Sequence, residues 1–341
     1  MSYLHDLAER IRRNEPIPLP IGAFLHAASL VQRLGIGARL LRRPIQVPAH
    51  VISFGNLTAG GTGKTPAVIE RAQRERDAGR QVAILTRGYG AGPSRFPLVM
   101  NTSAPPPDMI AGFGDEAALV AARVPGIWIV RSPDRVSGAR EAIARGCNTL
   151  ILDDGYQAVR LQRDENILLI DATNPFGNGY VIPRGILREP VRALSRATEI
   201  LVTRCDQAPA SIPEIERTIR AFSRTVPIRY SVHHPTHLRR LCDGSEHPLS
   251  LLSGLHIRAV CGIGNPESFV ATLKSAGADT VELHAFPDHS VLPAASFQGG
   301  MMNILTEKDA ARLGECSFPD VYALCISLAP YPFISSESTS K

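Results

Sequence analysis

The sequence predicts an α/β protein with a doubly wound, mostly parallel sheet. A second, smaller α/β domain follows it, and an amphipathic N-terminal helix precedes it. Three observations carry this reading. From His50 onward, short apolar runs rich in β-branched residues alternate with amphipathic helical patterns. The first run feeds a glycine-rich turn, "TAGGTGKT" at 58–65, that opens a helix. Near Pro227 the strand–helix alternation starts again.

With 341 residues, 44% hydrophobic and 20% charged, the chain suits two ordinary domains and excludes a mostly disordered protein. Residues 1–50 hold seven arginines against Asp6, Glu9 and Glu15, so four of the net five positive charges lie there. A nucleic-acid binder would carry its basic stripe on the folded body, so no nucleic-acid partner is expected. The six cysteines show no metal-ligand spacing and read as small apolar core residues in a reducing compartment.

The start of the chain lacks the apolar core of a secretory signal. Within 1–45, the stretch 21–34 places Ile21, Phe24, Leu25, Ala28, Val31 and Leu34 near one helical face. Fourteen residues are too few to span a bilayer, which needs about 20. With Arg33, Arg39, Arg42 and Arg43 nearby, the stretch reads as a packed helix or as one lying on an anionic membrane face.

A first domain is expected over 46–228. Its runs "VISF", "VAILT", "IWIV", "TLILD", "ILLID" and "EILVT" suit strands buried on both faces of a parallel sheet. A second domain is expected over 229–330, with a frayed tail over 331–341.

The turn after the first strand is a phosphate-binding loop of the P-loop NTPase type. Its glycines free the backbone to wrap a phosphate, a lysine reaches the β- and γ-oxygens, and a hydroxyl holds Mg²⁺. Thr58, Ala59, Gly60, Gly61, Thr62, Gly63, Lys64 and Thr65 are therefore the nucleotide-binding candidates, with Thr65 also a metal ligand. Lysine is scarce, four among 37 basic residues, so one falling between Gly63 and Thr65 argues against a plain glycine turn. ATP and Mg²⁺ are the expected cofactors.

"TLILDDGYQ" ends a strand on Asp153 and Asp154, candidates for Mg²⁺ either directly or through water; the alternative is a solvated turn. "LTRGYG" places Arg87 in a glycine-flanked turn. "GFGDEAAL" places Asp115 and Glu116 at a helix start, where carboxylates also serve as caps. "PRGILREP" sets Arg184 and Arg188 in a rigid loop suited to anchoring phosphate. "FPDHS" ends a strand with Asp288 and His289, and a lone histidine is more often structural than catalytic.

Taken in order, "GNLTAGGTGKTP", "LTRGYG", "GDEAAL", "ILDDGYQ", "GNGYVIPRGILREP", "CGIGNP", "FPDH" and "LTEKDAARL" resemble the tetraacyldisaccharide 4'-kinase family over roughly 45–315. Thr58 is expected in this subtype of the loop. The sequence departs from the family at Ala158, Arg184, Ile186 and Ser290. The resemblance implies transfer of the ATP γ-phosphoryl group to the 4'-hydroxyl of a lipid A disaccharide 1-phosphate. It also implies a peripheral location on the cytoplasmic face of the bacterial inner membrane. On the same basis Asp115 is the candidate base with His289 beside it, Lys64 serves the transferred group, and Arg87, Glu116 and Arg188 contact substrate. A partner-switching ATPase of the cell-division or plasmid-positioning type shares the "GG-x-GKT" loop. Those proteins carry a lysine where this chain has Ala59.

Overall fold

A computed structural model describes residues 7, 10–11, 15–88, 91–92, 97–106, 108–287, 290, 292–297, 300–313 and 316–332. By internal contacts the chain forms two compact units, neither of them a continuous stretch. The first holds Met1–Thr62, Asp154–Ser231 and Pro330–Lys341; the second holds Gly63–Asp153 and Val232–Ala329.

The expected alternation of elements is present. Helix α1 covers Leu19–Leu40 and strand β1 covers His50–Asn56. There follow α2 (Lys64–Asp77), β2 (Val82–Thr86), β3 (Leu98–Asn101), α3 (Met109–Phe113), α4 (Asp115–Arg123), β4 (Trp128–Arg131) and α5 (Arg135–Ile143). Then come β5 (Thr149–Leu152), β6 (Glu165–Asp171), β7 (Glu199–Thr203), α6 (Ile212–Phe222), β8 (Ile228–Arg240) and β9 (Glu246–His247). The run closes with β10 (His256–Cys261), α7 (Pro266–Ser275), β11 (Thr280–Ala285), β12 (Asn303–Thr306), α8 (Glu307–Leu313) and β13 (Val321–Pro330).

In the first unit β1, β6, β7 and the start of β8 pair in parallel, with Phe54 beside Ile167, Leu169 beside Leu201 and Val202 beside Tyr230. Strand β1 is buried from Val51 to Asn56, the continuous burial expected of a parallel strand covered on both faces. Ile212, Ile215 and Ile219, spaced to share one face of α6, join Leu168, Ile170, Ile200 and Val202 in one core. Each such side chain contributes about 1.5–3 kcal/mol by leaving water. Tyr156 closes this core, its hydroxyl donating to the Ala193 carbonyl at 2.5 Å. A Cβ on Gly55 would lie 2.6 Å from Tyr156 Cβ, so this strand position accepts only glycine.

Helix α1 belongs to the first unit and is longer than the expected 21–34 stretch. Its 22 residues are long and apolar enough to cross a membrane by length and composition. The single apolar face expected from sequence is divided in two. Gly22, Leu25, Ser29 and Ile36 are buried, whereas Phe24, Val31 and Leu34 face outward at 72%, 70% and 75% exposure. Ser29 Oγ donates to the Val181 carbonyl at 2.6 Å and accepts from the Arg184 amide at 3.1 Å. Arg184, one of the departures from the family pattern, also donates to the Gly22 carbonyl at 2.9 Å and stacks over the Tyr180 ring.

In the second unit β5, β2 and β4 run parallel, with β3 antiparallel on the outer edge of β4. A further parallel set runs β11–β10–β12–β13. Ile257, Ala259, Ile304 and Leu324 from those strands pack with Phe269 and Leu273 of α7. Helices α4 and α8 pack on each other within this unit. The mostly parallel α/β fold read from the sequence is the fold the chain adopts.

Candidate active site

The glycine-rich loop grows from the end of β1. Asn56, fully buried, directs its side-chain amide to the carbonyls of Thr58 at 2.8 Å and Gly60 at 3.4 Å. Arg204 Nη1 donates to the Gly61 carbonyl and Thr203 Oγ1 to the Thr62 carbonyl, both at 3.0 Å. A trans peptide points its N–H opposite to its C=O. Tying the carbonyls of Gly60, Gly61 and Thr62 inward therefore turns the N–H groups of Gly61, Thr62 and Gly63 the other way, as an anion cradle requires. The loop's entry is anchored too. Ala59 N–H donates to the Ile186 carbonyl at 2.7 Å, Arg188 N–H donates to the Leu57 carbonyl at 2.6 Å, and Thr58 forms an antiparallel bridge to Leu187.

Gly63 caps α2 in left-handed backbone, φ 78°. A Cβ there would stand 2.5 Å from Nε2 of His233, so the ring lies flush against the residue before Lys64. Lys64 and Thr65 are half-buried in the first turn of the helix, and Pro66 follows, where a missing N–H costs no helical bond.

Asp153 lies immediately after β5 and is buried; its N–H donates to the Leu85 carbonyl and its carbonyl accepts from Arg135 Nη2 at 3.2 Å. Asp154 is also left-handed, φ 53°, and both its carboxylate oxygens accept from Arg188 Nη1, at 2.8 and 2.6 Å. Arg188, expected to anchor phosphate, is thus held against an acidic residue of the same motif set.

Asp115 begins α4, as expected, with its own Oδ1 accepting from the Glu116 N–H at 2.9 Å. It is 4% exposed, and its Oδ2 accepts from Arg312 Nη2 at 2.5 Å and Nε at 3.2 Å. Glu116 pairs with Lys308 at 3.2 Å. Arg87 has an exposed side chain, while its carbonyl accepts from Arg131 Nε at 3.3 Å. Arg131 also donates to the carbonyls of Gly112 and Gly92, so one buried guanidinium ties the "LTRGYG" turn to the approach to α4. Asp288 and His289 lie outside the described residues.

Sequence reading missed Asn56, Arg131, Arg204, Asp309 and Arg312. The signal available for the last two was their i, i+3 spacing in "TEKDAAR", which puts both on one side of a helical turn. Among the described residues no group of three or more His, Cys, Asp or Glu side chains is arranged to hold a metal ion. Thr65 and Asp153 supply hard oxygen donors of the kind Mg²⁺ takes alongside phosphate oxygens and water.

The family model for tetraacyldisaccharide-1-P 4'-kinase matches residues 17–336. A tetraacyldisaccharide 4'-kinase of Syntrophus aciditrophicus (strain SB) is 39% identical over 338 residues, covering 90% of each protein. One from Jannaschia sp. (strain CCS1) is 40% identical over 307 residues, 86% of this chain and 84% of the relative. Among solved structures, an "apo" form of LpxK from Aquifex aeolicus in complex with ATP superposes with a TM-score of 0.75. It is 28% identical and spans 92% of this chain and 96% of its own.

Proposed function

The chain belongs to the tetraacyldisaccharide-1-P 4'-kinase family, and from that premise we propose how its residues divide the work. The activity is ATP-dependent transfer of the γ-phosphoryl group to the 4'-hydroxyl of tetraacyldisaccharide 1-phosphate, which forms lipid IVA in lipid A biosynthesis.

The observation that carries the residue roles is the loop whose carbonyls are tied inward by Asn56, Thr203 and Arg204 just before Gly63 caps α2. Its N–H groups and Lys64 hold the phosphates of ATP, and the positive end of the α2 dipole adds to the attraction. Thr65 and Asp153 are the protein's ligands for Mg²⁺, with Asp154 acting through water. Held there, Mg²⁺ would supply positive charge to neutralise the phosphates during transfer. Asp115 is the base that takes the proton from the 4'-hydroxyl, with His289 assisting. Arg87, Glu116 and Arg188 contact the acceptor or the transferred group.

The acceptor is a lipid, and α1 supplies a surface to meet it. Phe24, Val31 and Leu34 face outward while Arg33, Arg39, Arg42 and Arg43 are exposed. Its opposite face is hydrogen-bonded to the 181–184 loop, which suits a helix lying in the interface better than one surrounded by lipid. The protein therefore works as a peripheral enzyme on an anionic membrane face.

The test is transfer of labelled γ-phosphate to the disaccharide monophosphate. Lys64→Ala should fold normally and lose at least about a hundredfold in kcat. A folded Lys64→Ala protein with near-normal turnover removes the loop assignment.

A further inference from the structure

Helix α8 carries the "TEKDAAR" motif, to which the roles above give no task. It meets α4 through three ion pairs: Arg312 with Asp115, Lys308 with Glu116, and Arg123 with Glu307. The pairs run in opposite chain order, so the acidic start of one helix faces the basic end of the other. Arg312 is the centre of this contact and is 7% exposed in its side chain. Nε and Nη2 bond Asp115, while Nη1 bonds Asp309 at 3.1 Å and the Ser290 carbonyl at 2.7 Å. Asp309 in turn accepts from the Gly262 N–H at 3.2 Å and from Thr306 Oγ1 at 2.7 Å. A Cβ on Gly262 would stand 3.3 Å from Arg312 Nη1. Segments of "GDEAAL", "CGIGNP", "FPDHS" and "TEKDAAR" thus converge on one guanidinium.

We propose that Arg312 is a positioning residue for phosphoryl transfer, its guanidinium keeping the buried Asp115 carboxylate ionised and fixed in orientation. The proposal rests on the reading of Asp115 as the base. A carboxylate this deeply buried is driven toward its neutral form unless a cation faces it, and a neutral acid cannot accept the hydroxyl proton. Arg312 faces two carboxyls, and burial pushes Asp309 above the ordinary carboxylate range, leaving more of the guanidinium charge to Asp115. Among the described residues, other charged groups on elements packed against α4 have partners of their own, Arg71 of α2 with Glu75 among them. Lys308 and Glu307 on α8 pair with Glu116 and Arg123, and Arg131 from β4 donates to the Gly112 carbonyl. From α2, Gln73 and Arg76 bond the carbonyls of Arg123 and Pro125 at the far end.

The test uses the full-length enzyme with ATP and the disaccharide monophosphate across a pH series. Arg312→Gln should lower kcat by about 10–100-fold with little change in the KM for ATP. It should also move the acid limb of kcat/KM to higher pH, because Asp115 then holds its proton longer. Arg312→Lys, which keeps the charge without the planar fork, should restore the limb and recover kcat to within about tenfold of wild type. A Gln variant with wild-type kcat and limb overturns the proposal, as do Gln and Lys variants equally depressed at an unmoved limb. If Arg312→Gln fails to fold, Arg312→Lys decides alone: an acid limb displaced upward in that charge-keeping variant overturns it. Asp115→Asn separates the two ideas. If that variant keeps its kcat, the base reading fails and the proposal with it. If it loses kcat while Arg312→Gln does not, the base stands and the proposal alone is overturned.

Discussion

Asp154 holds Arg188 with both carboxylate oxygens, at 2.8 and 2.6 Å from one guanidinium nitrogen, from a backbone in the left-handed region. The adjacent Asp153 directly follows a fully buried strand and is itself buried. Two neighbouring carboxylates of one motif are therefore given different surroundings, and this separates their expected roles.

Asp153→Ala should shift the Mg²⁺ concentration needed for half-maximal rate upward by at least about tenfold. Asp154→Ala and Arg188→Ala should lower kcat alike, with smaller changes in the Mg²⁺ titration. The measurement is initial rate against Mg²⁺ at saturating ATP. Equal Mg²⁺ shifts in Asp153→Ala and Asp154→Ala would show that the two share the ion.

Gly63→Ala places a side chain at φ 78° with its Cβ 2.5 Å from His233 Nε2. The left-handed conformation alone costs about 1–2 kcal/mol. The variant should lose more than that in urea denaturation, because the collision adds to the strain, and should bind ADP more weakly. Adding His233→Ala removes the collision but not the backbone strain, so the double variant should regain part of the loss. No recovery at all would mean that the histidine ring moves aside freely.

Phe24→Glu with Val31→Glu alters only outward-facing positions of α1, so thermal stability should stay within about 0.5 kcal/mol of wild type. Sedimentation with anionic vesicles should fall and the KM for the lipid acceptor should rise, with the KM for ATP unchanged. Leu25→Ala, on the buried face, should do the reverse: vesicle binding survives while stability drops by about 2–3 kcal/mol. Undiminished sedimentation by the double glutamate variant would assign membrane contact to another surface.

Burial is the main cause that raises Asp309 above the ordinary carboxylate value, ahead of the opposing bonds from Thr306, Arg312 and Gly262. Its folded-state value thus exceeds its unfolded one, so folding favours the protonated form. That favourable contribution is complete below the ordinary carboxylate range and is lost as pH rises through the folded value. Asp309→Asn, which stays neutral, should therefore compare better with wild type at pH 7 than at pH 4. Melting temperatures of both proteins across that interval check the sign; a difference that worsens with rising pH contradicts it.

Much of this molecule is legible in its sequence because the signals are local. Unbroken apolar runs such as "VISF" and "TLIL" form strands buried on both faces. The order Gly63-Lys64-Thr65-Pro66 after such a strand specifies a turn that opens a helix, through backbone sterics that need no distant partner. The family motifs likewise mark which residues carry charge at strand and helix ends. Partners are another matter. That Arg312 engages Asp115, that Arg188 engages Asp154, and that Asn56 and Arg204 tie down the loop carbonyls depends on segments far apart in the chain. The same holds for α1, where spacing alone put Leu25 and Phe24 on one face. Only the hydrogen bonds from Ser29 and Arg184 to the 181–184 loop and Gly22 decided which side turned inward. A repeat along the chain follows from backbone geometry, which each residue carries with it. The choice among several cations for one buried carboxylate is made by packing, because only the folded chain sets their distances and removes the water between them.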